Sequence, residues 1–430
     1  MILLLQPSAS IKGTINLPSS KSYSIRSALI AACGGKSQVN NISSCDDAKV
    51  ALRAARYLGA KVTSSKKNSI TISVQQEKKL SSSLNVGESG TVLRFILPLA
   101  ALRPTKSIIK GEGTLCARPN NHLIETLKKM GCDIRGKGKK QTVPITLSGG
   151  ELGGGKLSID GSLSSQFVSA LLIAAPLLQE NSKLFIKGKK VVSQTYIQMT
   201  LLVLRKTGIR IEQISKRLFL IKGKQRYKGL KKFIVPSDYG LAAFWLAAGA
   251  LLNSDVILKG YFDHRLVQAD GAILDFLKRM GICFQSTRKQ LRIKGPCVIK
   301  GGSFSLKNSP DLLPIMAVMA MFAKSKTRLY GIAHARIKES DRISDLRNEL
   351  LKVGAKITEK KDEIIIYPQE FYKTATLDPH NDHRLAMAFA ILGLKIGLKV
   401  KNVECTAKSY PEFVFDLKKI RAKVRKIKNL

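Results

Sequence analysis

The stretch SIRSALIAACGG, residues 24–35, is apolar around most of a helix and follows the polar pair Lys21-Ser22. Similar stretches recur as TVLRFILPLAAL from Thr91, QFVSALLIAAPLL from Gln166, GLAAFWLAAGALL from Gly240, LLPIMAVMAMFA from Leu312 and HRLAMAFAILGL from His383. Recurrence at a roughly constant spacing is typical of a repeated structural unit. Helices that are apolar nearly all round are expected in the interior, beneath strands and amphipathic helices.

A second helix candidate in each repeat is amphipathic and basic, and it ends in a countable signature. The signature reads GAKV at Gly59, GCDI at Gly131, GIRI at Gly208, GICF at Gly281, GAKI at Gly354 and RAKV at Arg421, a spacing of 67 to 77 residues. Glycine followed by alternating β-formers predicts a helix stop and a strand start. Each repeat therefore reads as helix, strand, helix, strand, strand, and Arg421 replaces the glycine in the terminal copy.

Six equal repeats in 430 residues divide most simply into two domains of three. We expect an N-terminal domain over residues 20–236 and a C-terminal domain made of residues 1–19 and 237–430. The strand candidate IKGTINL near the N-terminus is assigned to the C-terminal domain.

The composition restricts the function classes. The chain carries 73 lysines and arginines against 30 aspartates and glutamates, a net charge of +43, which favours anionic ligands. The lysines are dispersed, aromatic residues are only 6% and no nucleic-acid motif appears, so we expect no specific nucleic-acid function. A lysine bias of the whole proteome would also explain the charge. Seven scattered cysteines without a C-x-x-C pair and the lack of a membrane-length apolar run predict a cytoplasmic protein with reduced thiols.

Polar residues at the starts of the first three apolar helices are candidate anion ligands. Lys21 and Ser22 begin the first helix, where a cation opposes the helix dipole unless an anion is bound. Ser89-Gly90 and Ser164-Ser165 stand at the corresponding places in the next two repeats, although each could be an ordinary cap. If the three repeats pack around an axis, these helix starts meet in one pocket.

The densest charged segment is RIKESDR, residues 336–342, directly before an amphipathic helix. A solvated surface run is the ordinary interpretation of such a segment. Asp311 and the triplet Asp382-His383-Arg384 head neighbouring repeats, however, and would bring further charge to the same place. We therefore favour a functional cluster.

Three other motifs are weak. His380 and His383 have metal-ligand spacing, but no third ligand accompanies them. The match to G-x-x-x-x-G-K at Gly150 to Lys156 is followed by leucine and a strand pattern, so it does not indicate a phosphate loop. Cys116 has no base placed near it in sequence and reads as a packed thiol.

Seven segments in register, KSYSIRSA, ESGTVLR, CARP, DGSLSSQF, RIKESDR, NDHRLAMAFA and CTAKSYPEF, resemble the 5-enolpyruvylshikimate-3-phosphate synthases, a family of enolpyruvyl transferases. The resemblance spans nearly the whole chain. It implies a two-domain inside-out α/β barrel fold and transfer of the enolpyruvyl group of phosphoenolpyruvate to the 5-hydroxyl of shikimate 3-phosphate. It implies no cofactor and no metal.

The resemblance also carries residue roles onto this chain. The phosphoenolpyruvate ligands would be Lys21, Gly90, Arg118, Gln166, Arg342, Arg384 and Lys408. The shikimate 3-phosphate ligands would be Ser22, Arg26, Ser164, Ser165, Gln166, Ser193, Tyr196, Asp311, His334 and Lys338. Catalysis would use Asp311 as base toward the hydroxyl, Glu339 as proton donor to carbon, and Lys21 and Lys408 to stabilise charge on the phosphate.

The sequence departs from the family pattern at Glu88 and His334, where asparagine is usual, and at Phe95, where many members have proline. Two alternatives stay open: a UDP-N-acetylglucosamine enolpyruvyl transferase, against which Ser22 and the Ser164-Ser165-Gln166 triplet argue, and a non-enzymatic repeat protein that binds polyanions. We expect a monomer whose partners are small anionic substrates and which binds no membrane.

Overall fold

The computed structural model describes residues 1–66, 68–74 and 81–427. Contacts between residues divide the chain into two compact units, an N-unit of Ser20–Val235 and a C-unit of Met1–Ser19 with Pro236–Leu430. No helix in the described part of the chain combines the length and the apolar character that crossing a bilayer requires.

The helices alternate between an apolar and an amphipathic type. Their bounds are α1 Lys21–Ala31, α2 Asp46–Tyr57, α3 Gly90–Ala101, α4 Asn121–Lys129, α5 Ser165–Ala174, α6 Gln194–Lys206, α7 Tyr239–Leu251, α8 Ile273–Arg279, α9 Leu313–Met321, α10 Arg342–Lys352, α11 His383–Ile396 and α12 Phe413–Lys419. Each odd-numbered helix begins within three residues of the start that the sequence predicts.

The strands are short. Their bounds are β1 Ile2–Leu5, β2 Ile11–Asn16, β3 Lys36–Asn40, β4 Ala60–Lys66, β5 Ser69–Val74, β6 Ser83–Asn85, β7 Ser107–Lys110, β8 Asp133–Lys137, β9 Thr142–Ser148, β10 Gly155–Asp160, β11 Ser182–Lys187, β12 Ile211–Ser215, β13 Leu218–Ile221, β14 Phe233–Ile234, β15 Ser254–Lys259, β16 Phe284–Ser286, β17 Gln290–Gly295, β18 Ser303–Ser305, β19 Thr327–Tyr330, β20 Lys356–Glu359, β21 Glu363–Tyr367, β22 Thr376–Leu377, β23 Leu398–Val400 and β24 Val424–Ile427.

These strands form four-stranded sheets, each with one parallel pair and two antiparallel pairs. In the N-unit the orders are β14-β3-β5-β4, β6-β7-β9-β8 and β10-β11-β13-β12. In the C-unit they are β2-β15-β17-β16, β18-β19-β21-β20 and β22-β23-β1-β24. The parallel pair joins the strand before a repeat's apolar helix to the strand after it, except at the two chain crossings. There β2 pairs with β15, and β14 pairs with β3.

The sixth repeat departs from the predicted order. The sequence analysis expects two strands after each amphipathic helix, but in the sixth sheet the place beside β24 belongs to β1, from the N-terminus. Leu3 of β1 is aligned with Val400 on one side and Lys426 on the other, and its side chain is buried. The two ends of the chain are therefore held in one sheet.

Apolar helices form the cores. Every residue of α7 is buried, and α7, α9 and α11 pack against one another in the C-unit. In the N-unit α3 packs against both α1 and α5. A helix with no polar face gains nothing from exposure, so burial on all sides follows from its composition. The starts of α1, α3, α5 and α11 carry polar side chains.

Candidate active site

A serine precedes each of the three apolar helices of the N-unit. Ser20 accepts a hydrogen bond from the Tyr23 backbone N–H at 3.4 Å, and Ser164 accepts one from the Gln166 N–H at 3.2 Å. Ser89 stands at the same place before α3 and is buried. Hydroxyl caps add no charge, so the partial positive charge of each helix start stays available to an anion.

Lys21, the first residue of α1, has a partner in the chain. Its Nζ lies 3.1 Å from Oδ2 of Asp47, in the first turn of α2, and both side chains are largely buried. From the sequence alone, a cation at this helix start predicts a bound anion. Asp47 supplies a carboxylate of its own, so the dipole argument by itself does not require a ligand here.

Arg26 is buried and holds α1 against α6. Its Nε donates to Thr200 Oγ1 at 2.9 Å, while Nη1 donates to the Ser22 carbonyl at 3.0 Å and Nη2 to the Tyr196 carbonyl at 3.1 Å. Its guanidinium also lies over the rings of Phe95 and Tyr196. Burial lowers the pKa of Arg26 to about 10, so the group stays cationic at neutral pH. Ser22 and Tyr196 are thereby brought together.

Gln166 links the starts of α3 and α5. Its Nε2 donates to Thr91 Oγ1 at 2.8 Å, and its Oε1 accepts a short hydrogen bond from Arg94 Nη1. Arg94 also donates to the Pro119 carbonyl at 3.1 Å, next to Arg118 in the chain. This network fixes the amide of Gln166 between two helix starts.

Arg118 lies over the start of α3, which explains the glycine at residue 90. A Cβ added to Gly90 would lie 2.6 Å from Arg118 Nη1, so a larger residue would displace the guanidinium. Arg118 is 5% exposed and follows the 3₁₀ turn Gly113–Ala117. Glu88, the departure from the family pattern, accepts a hydrogen bond from the Thr114 N–H of that turn at 3.1 Å.

Ser165 and Ser193 are both buried at helix starts. Ser193 precedes α6 with φ of 54°, a left-handed conformation. The hydrogen bond of Gln166 to Thr91 joins the starts of α3 and α5, whereas Lys21 at the start of α1 pairs with Asp47.

A buried arginine organises the C-unit cluster. Arg342 Nε donates to Asp382 Oδ2 at 2.7 Å and Nη2 to Asp382 Oδ1 at 3.2 Å. Its Nη1 donates to Asp311 Oδ1 at 2.8 Å, and Nη2 donates to Glu339 Oε2 at 2.9 Å. Burial alone would lower the pKa of Arg342, but Asp382, Asp311 and Glu339 raise it above its ordinary value. One cation therefore aligns three carboxylates.

Arg384, in the first turn of α11, is the second cation of the cluster. Its Nη2 lies 3.5 Å from Asp311 Oδ2 and 3.8 Å from Asp270 Oδ2. A Cβ on Gly240, in the first turn of α7, would lie 2.5 Å from Asp270 Oδ2 and 2.8 Å from Arg384 Nη1, so a larger residue would displace these two side chains. Burial and the neighbouring Asp311 raise the pKa of Asp270.

Two lysines and a histidine complete the C-unit cluster. Lys408 Nζ lies 3.6 Å from Glu339 Oε1, and Lys338 Nζ lies 3.9 Å from Asp311 Oδ1. Burial, and after it the charge of Lys338, lowers the pKa of the imidazole of His334 to about 3. His334 is consequently neutral at physiological pH.

The charge of Asp311 follows from its surroundings. Burial alone would raise the pKa of this carboxyl, but Lys338, Arg342 and Arg384 together hold it well below its ordinary value. Asp311 is an ionised carboxylate between three cations, with 19% of its side chain exposed. It can accept a proton only if those cations acquire other anionic partners.

The structure also shows where the residues of the three weaker motifs lie. His380 contacts Glu349 at 3.3 Å, whereas His383 is buried in the first turn of α11. In the described residues no group of three or more His, Cys, Asp or Glu side chains has an arrangement suited to a metal ion. Lys156 of the glycine-rich match lies in β10, and Cys116 is exposed, not packed as the sequence analysis expects.

The sequence does not single out three side chains that hold the candidate residues, Asp47, Thr200 and Asp270. It indicates Asp382 only as part of a charged triplet. Asp47 could have been suspected because a helix that begins with two aspartates places negative charge at its N-terminus. Nothing in the sequence signals Thr200 or Asp270, because their partners lie 174 and 114 residues away along the chain.

Comparisons with known proteins agree on one family. The family described as EPSP synthase (3-phosphoshikimate 1-carboxyvinyltransferase) matches residues 5–417. A 3-phosphoshikimate 1-carboxyvinyltransferase of Buchnera aphidicola is 34% identical over 96% of this chain and 95% of its own length, and one of Nitrosopumilus maritimus is 33% identical over 96% and 97%. The structure of EPSP synthase from Acinetobacter baumannii superposes with a TM-score of 0.80 at 25% identity, covering 99% of both chains. The chain therefore belongs to the EPSP synthase family of 3-phosphoshikimate 1-carboxyvinyltransferases and has the inside-out α/β fold of the enolpyruvyl transferases.

Proposed function

We propose that this chain transfers the enolpyruvyl group of phosphoenolpyruvate to the 5-hydroxyl of shikimate 3-phosphate and releases phosphate. The observation that carries the proposal is the C-unit cluster, where Arg342 aligns Asp311 and Glu339 beside Arg384 and Lys408. Two carboxylates held by a common cation can act as base and acid, and the cations suit a doubly anionic substrate.

This proposal assigns ligands to each substrate. Phosphoenolpyruvate is held by Lys21, Gly90, Arg118, Gln166, Arg342, Arg384 and Lys408. Shikimate 3-phosphate is held by Ser22, Arg26, Ser164, Ser165, Gln166, Ser193, Tyr196, Asp311, His334 and Lys338. Bringing two mutually repelling anions together is the main task of these cations.

Proton transfer follows from how the substrate changes the local charge. When the phosphate and carboxylate of phosphoenolpyruvate bind Arg342, Arg384 and Lys408, these cations are shared. They then pair with the substrate as well as with the carboxylates of Asp311 and Glu339. Added negative charge beside the two carboxylates makes each a better proton acceptor. Glu339 can then hold the proton that it donates, and Asp311 can accept the proton of the 5-hydroxyl.

The bonds change in two steps. Asp311 takes the hydroxyl proton as the oxygen attacks C2 of phosphoenolpyruvate, and Glu339 donates a proton to the methylene carbon, which gives a tetrahedral intermediate. Phosphate then leaves C2 with the proton held by Asp311, and the Glu339 carboxylate takes a proton from the new methyl group to restore the double bond. Lys21 and Lys408 stabilise the charge on the departing phosphate. The reaction transfers the enolpyruvyl group, releases inorganic phosphate and needs no oxidant or reductant.

Phosphate release tests the proposal. Purified protein mixed with shikimate 3-phosphate and phosphoenolpyruvate is expected to release phosphate and to form an enolpyruvyl ether detectable by mass spectrometry. The same assay with UDP-N-acetylglucosamine as acceptor is expected to give no release. Release only with the nucleotide sugar, or no release with either acceptor, would overturn the proposal.

We further propose that the chain works as a monomer in the cytoplasm. The described cysteines are all free thiols, which is usual in a reducing compartment. Light scattering of the purified protein at assay concentration and fractionation of cells that express the chain test these two statements. A dimer mass or an extracytoplasmic location would contradict them.

A further inference from the structure

Glu349 is a buried carboxylate with no role in the proposed chemistry. It lies on α10, seven residues after Arg342, and is 3% exposed. Seven residues span roughly 10 Å along a helix and return to the same face. Lys352 lies 2.7 and 2.8 Å from its two oxygens. The same oxygens also reach a segment outside α10.

That segment is the turn between β22 and α11. Glu349 Oε2 accepts a hydrogen bond from the backbone N–H of Asp378 at 2.8 Å, and Oε1 lies 3.3 Å from His380 Nε2. Asp378 in turn accepts the His380 N–H at 2.8 Å. A side chain of one helix therefore fixes both the entry of the turn and its first central residue.

The turn needs such an anchor because its conformation is unfavourable. His380 and Asn381 have φ of 49° and 57°, and the Asp382 N–H closes the turn on the Pro379 carbonyl at 2.8 Å. Two consecutive left-handed residues that are not glycine are sterically unfavourable, although less so for asparagine and histidine than for other residues. Without Glu349 other backbone conformations of the segment compete with the observed one.

The turn delivers Asp382 to the active-site cluster. Asp382 is fully buried, binds Arg342 through both oxygens and accepts the Arg384 N–H at 2.8 Å. The helix α10 thus contacts this segment at two points: Glu349 holds the turn at Asp378 and His380, and Arg342 receives Asp382. The positions of both arginines depend on where the turn places one carboxylate.

We propose that Glu349 is a positioning residue for phosphoenolpyruvate binding. It keeps the Pro379–Asp382 turn in its left-handed conformation, and the turn sets Asp382 against Arg342 and the start of α11. Glu349 itself touches no substrate. The inference rests on the proposed function, because it assigns Arg342 and Arg384 to phosphoenolpyruvate.

Steady-state kinetics of Glu349→Ala test this role. The KM for phosphoenolpyruvate is expected to rise at least about tenfold, since loss of the anchor shifts the turn by more than about 1.4 kcal/mol. The KM for shikimate 3-phosphate is expected to stay within about threefold, because the N-unit supplies most of its proposed ligands, and far-UV circular dichroism is expected to be unchanged. An unchanged KM for phosphoenolpyruvate, or equal rises for both substrates, would overturn the inference.

Two control variants separate positioning from general stabilisation. Lys352→Ala removes the exposed cation but leaves the carboxylate on the turn, so its KM values are expected to match the wild type. Glu363→Gln on β21 removes another carboxylate that pairs with two cations, Arg328 and Lys360, away from the turn. It is also expected to leave both KM values unchanged. A rise in the KM for phosphoenolpyruvate in either control would count against a specific role of Glu349.

Glycine in the turn provides a rescue. Glycine adopts positive φ without strain, so His380→Gly with Asn381→Gly in the Glu349→Ala background is expected to recover at least about threefold of the lost affinity. No recovery would overturn the inference. If Glu349→Ala does not fold, the same comparisons are made with Glu349→Leu, which fills similar space but accepts no hydrogen bond from the turn, and a wild-type KM for phosphoenolpyruvate would overturn the inference. Wild-type protein without phosphate release would instead contradict the proposed function.

Discussion

At the scale of single residues, the N-caps of the buried helices differ in charge between the two units. Ser20 and Ser164 cap helices of the N-unit and leave the positive helix ends to an anionic ligand. Asp238 and Asp382 cap helices of the C-unit and neutralise that partial charge. Asp382 also binds Arg342, so the C-unit presents cations on side chains instead of on helix ends.

Replacing Asp311 by asparagine tests its role as base. Asp311→Asn preserves size but cannot accept the hydroxyl proton, so kcat is expected to fall by roughly two orders of magnitude or more. The dissociation constants of both substrates, measured by calorimetry, are expected to change by less than about fivefold. Asp255→Asn, which removes a carboxylate paired with Arg292 on a C-unit sheet, is the matched control and should keep its full kcat. A kcat near normal in Asp311→Asn would remove it from the mechanism.

The lowered pKa of His334 predicts that the stability of the folded protein depends on pH. Its pKa in the folded protein is about 3, below the ordinary 6.5, so the unfolded chain binds the proton more readily and stability falls as pH drops from 6.5 toward 3. At pH 5 this contribution is about 2 kcal/mol smaller than at pH 7.5. In His334→Asn the loss of stability over this range, measured by urea unfolding, should be smaller by that amount. If the free energy of unfolding changed with pH equally in the two proteins, His334 would be protonated at pH 5 in the folded state, which would contradict the prediction.

At the scale of elements, one backbone position ends every amphipathic helix. Gly59, Gly131 and Gly354 adopt φ of 93°, 98° and 88° after α2, α4 and α10. Arg421 adopts φ of 64° after α12, although it carries a side chain. The repeat geometry therefore imposes the left-handed residue, and the sixth repeat adopts it against the preference of its own sequence.

The strain at this position can be removed. Arg421→Gly is expected to raise the free energy of unfolding by roughly 1 kcal/mol, because glycine adopts positive φ without steric cost. Gly354→Ala is the converse substitution at the equivalent position of the fifth repeat. A Cβ there meets no atom within 4 Å, so only the positive φ makes alanine unfavourable. It should lower the free energy of unfolding by about 1 kcal/mol. Chemical denaturation measures both, and a less stable Arg421→Gly protein would contradict the argument.

At the scale of the whole molecule, the proposed ligands are distributed over two compact units. Lys21 and Arg118 belong to the N-unit, while Arg342, Arg384 and Lys408 belong to the C-unit. A chain with net charge +43 repels itself most strongly where cations concentrate. Two substrates that each carry a phosphate and a carboxylate supply the charge needed to offset that repulsion.

Substrate binding is accordingly expected to make the protein more compact. Addition of shikimate 3-phosphate with phosphoenolpyruvate, or with an unreactive analogue of it, should reduce the radius of gyration measured by X-ray scattering. Inorganic sulfate at equal ionic strength serves as the control and should produce a smaller change. Superimposable scattering profiles with and without the substrates would contradict this prediction.

The sequence alone determined the repeat, the apolar helices and the residues that match the family, because hydrophobic periodicity and short motifs are local properties of the chain. Only the tertiary structure decided that β1 completes the sixth sheet, that Asp47 pairs with Lys21, and that Asp382 and Glu349 hold the arginine cluster. These contacts join residues that are distant in sequence, and only the packing of the folded chain brings such partners together.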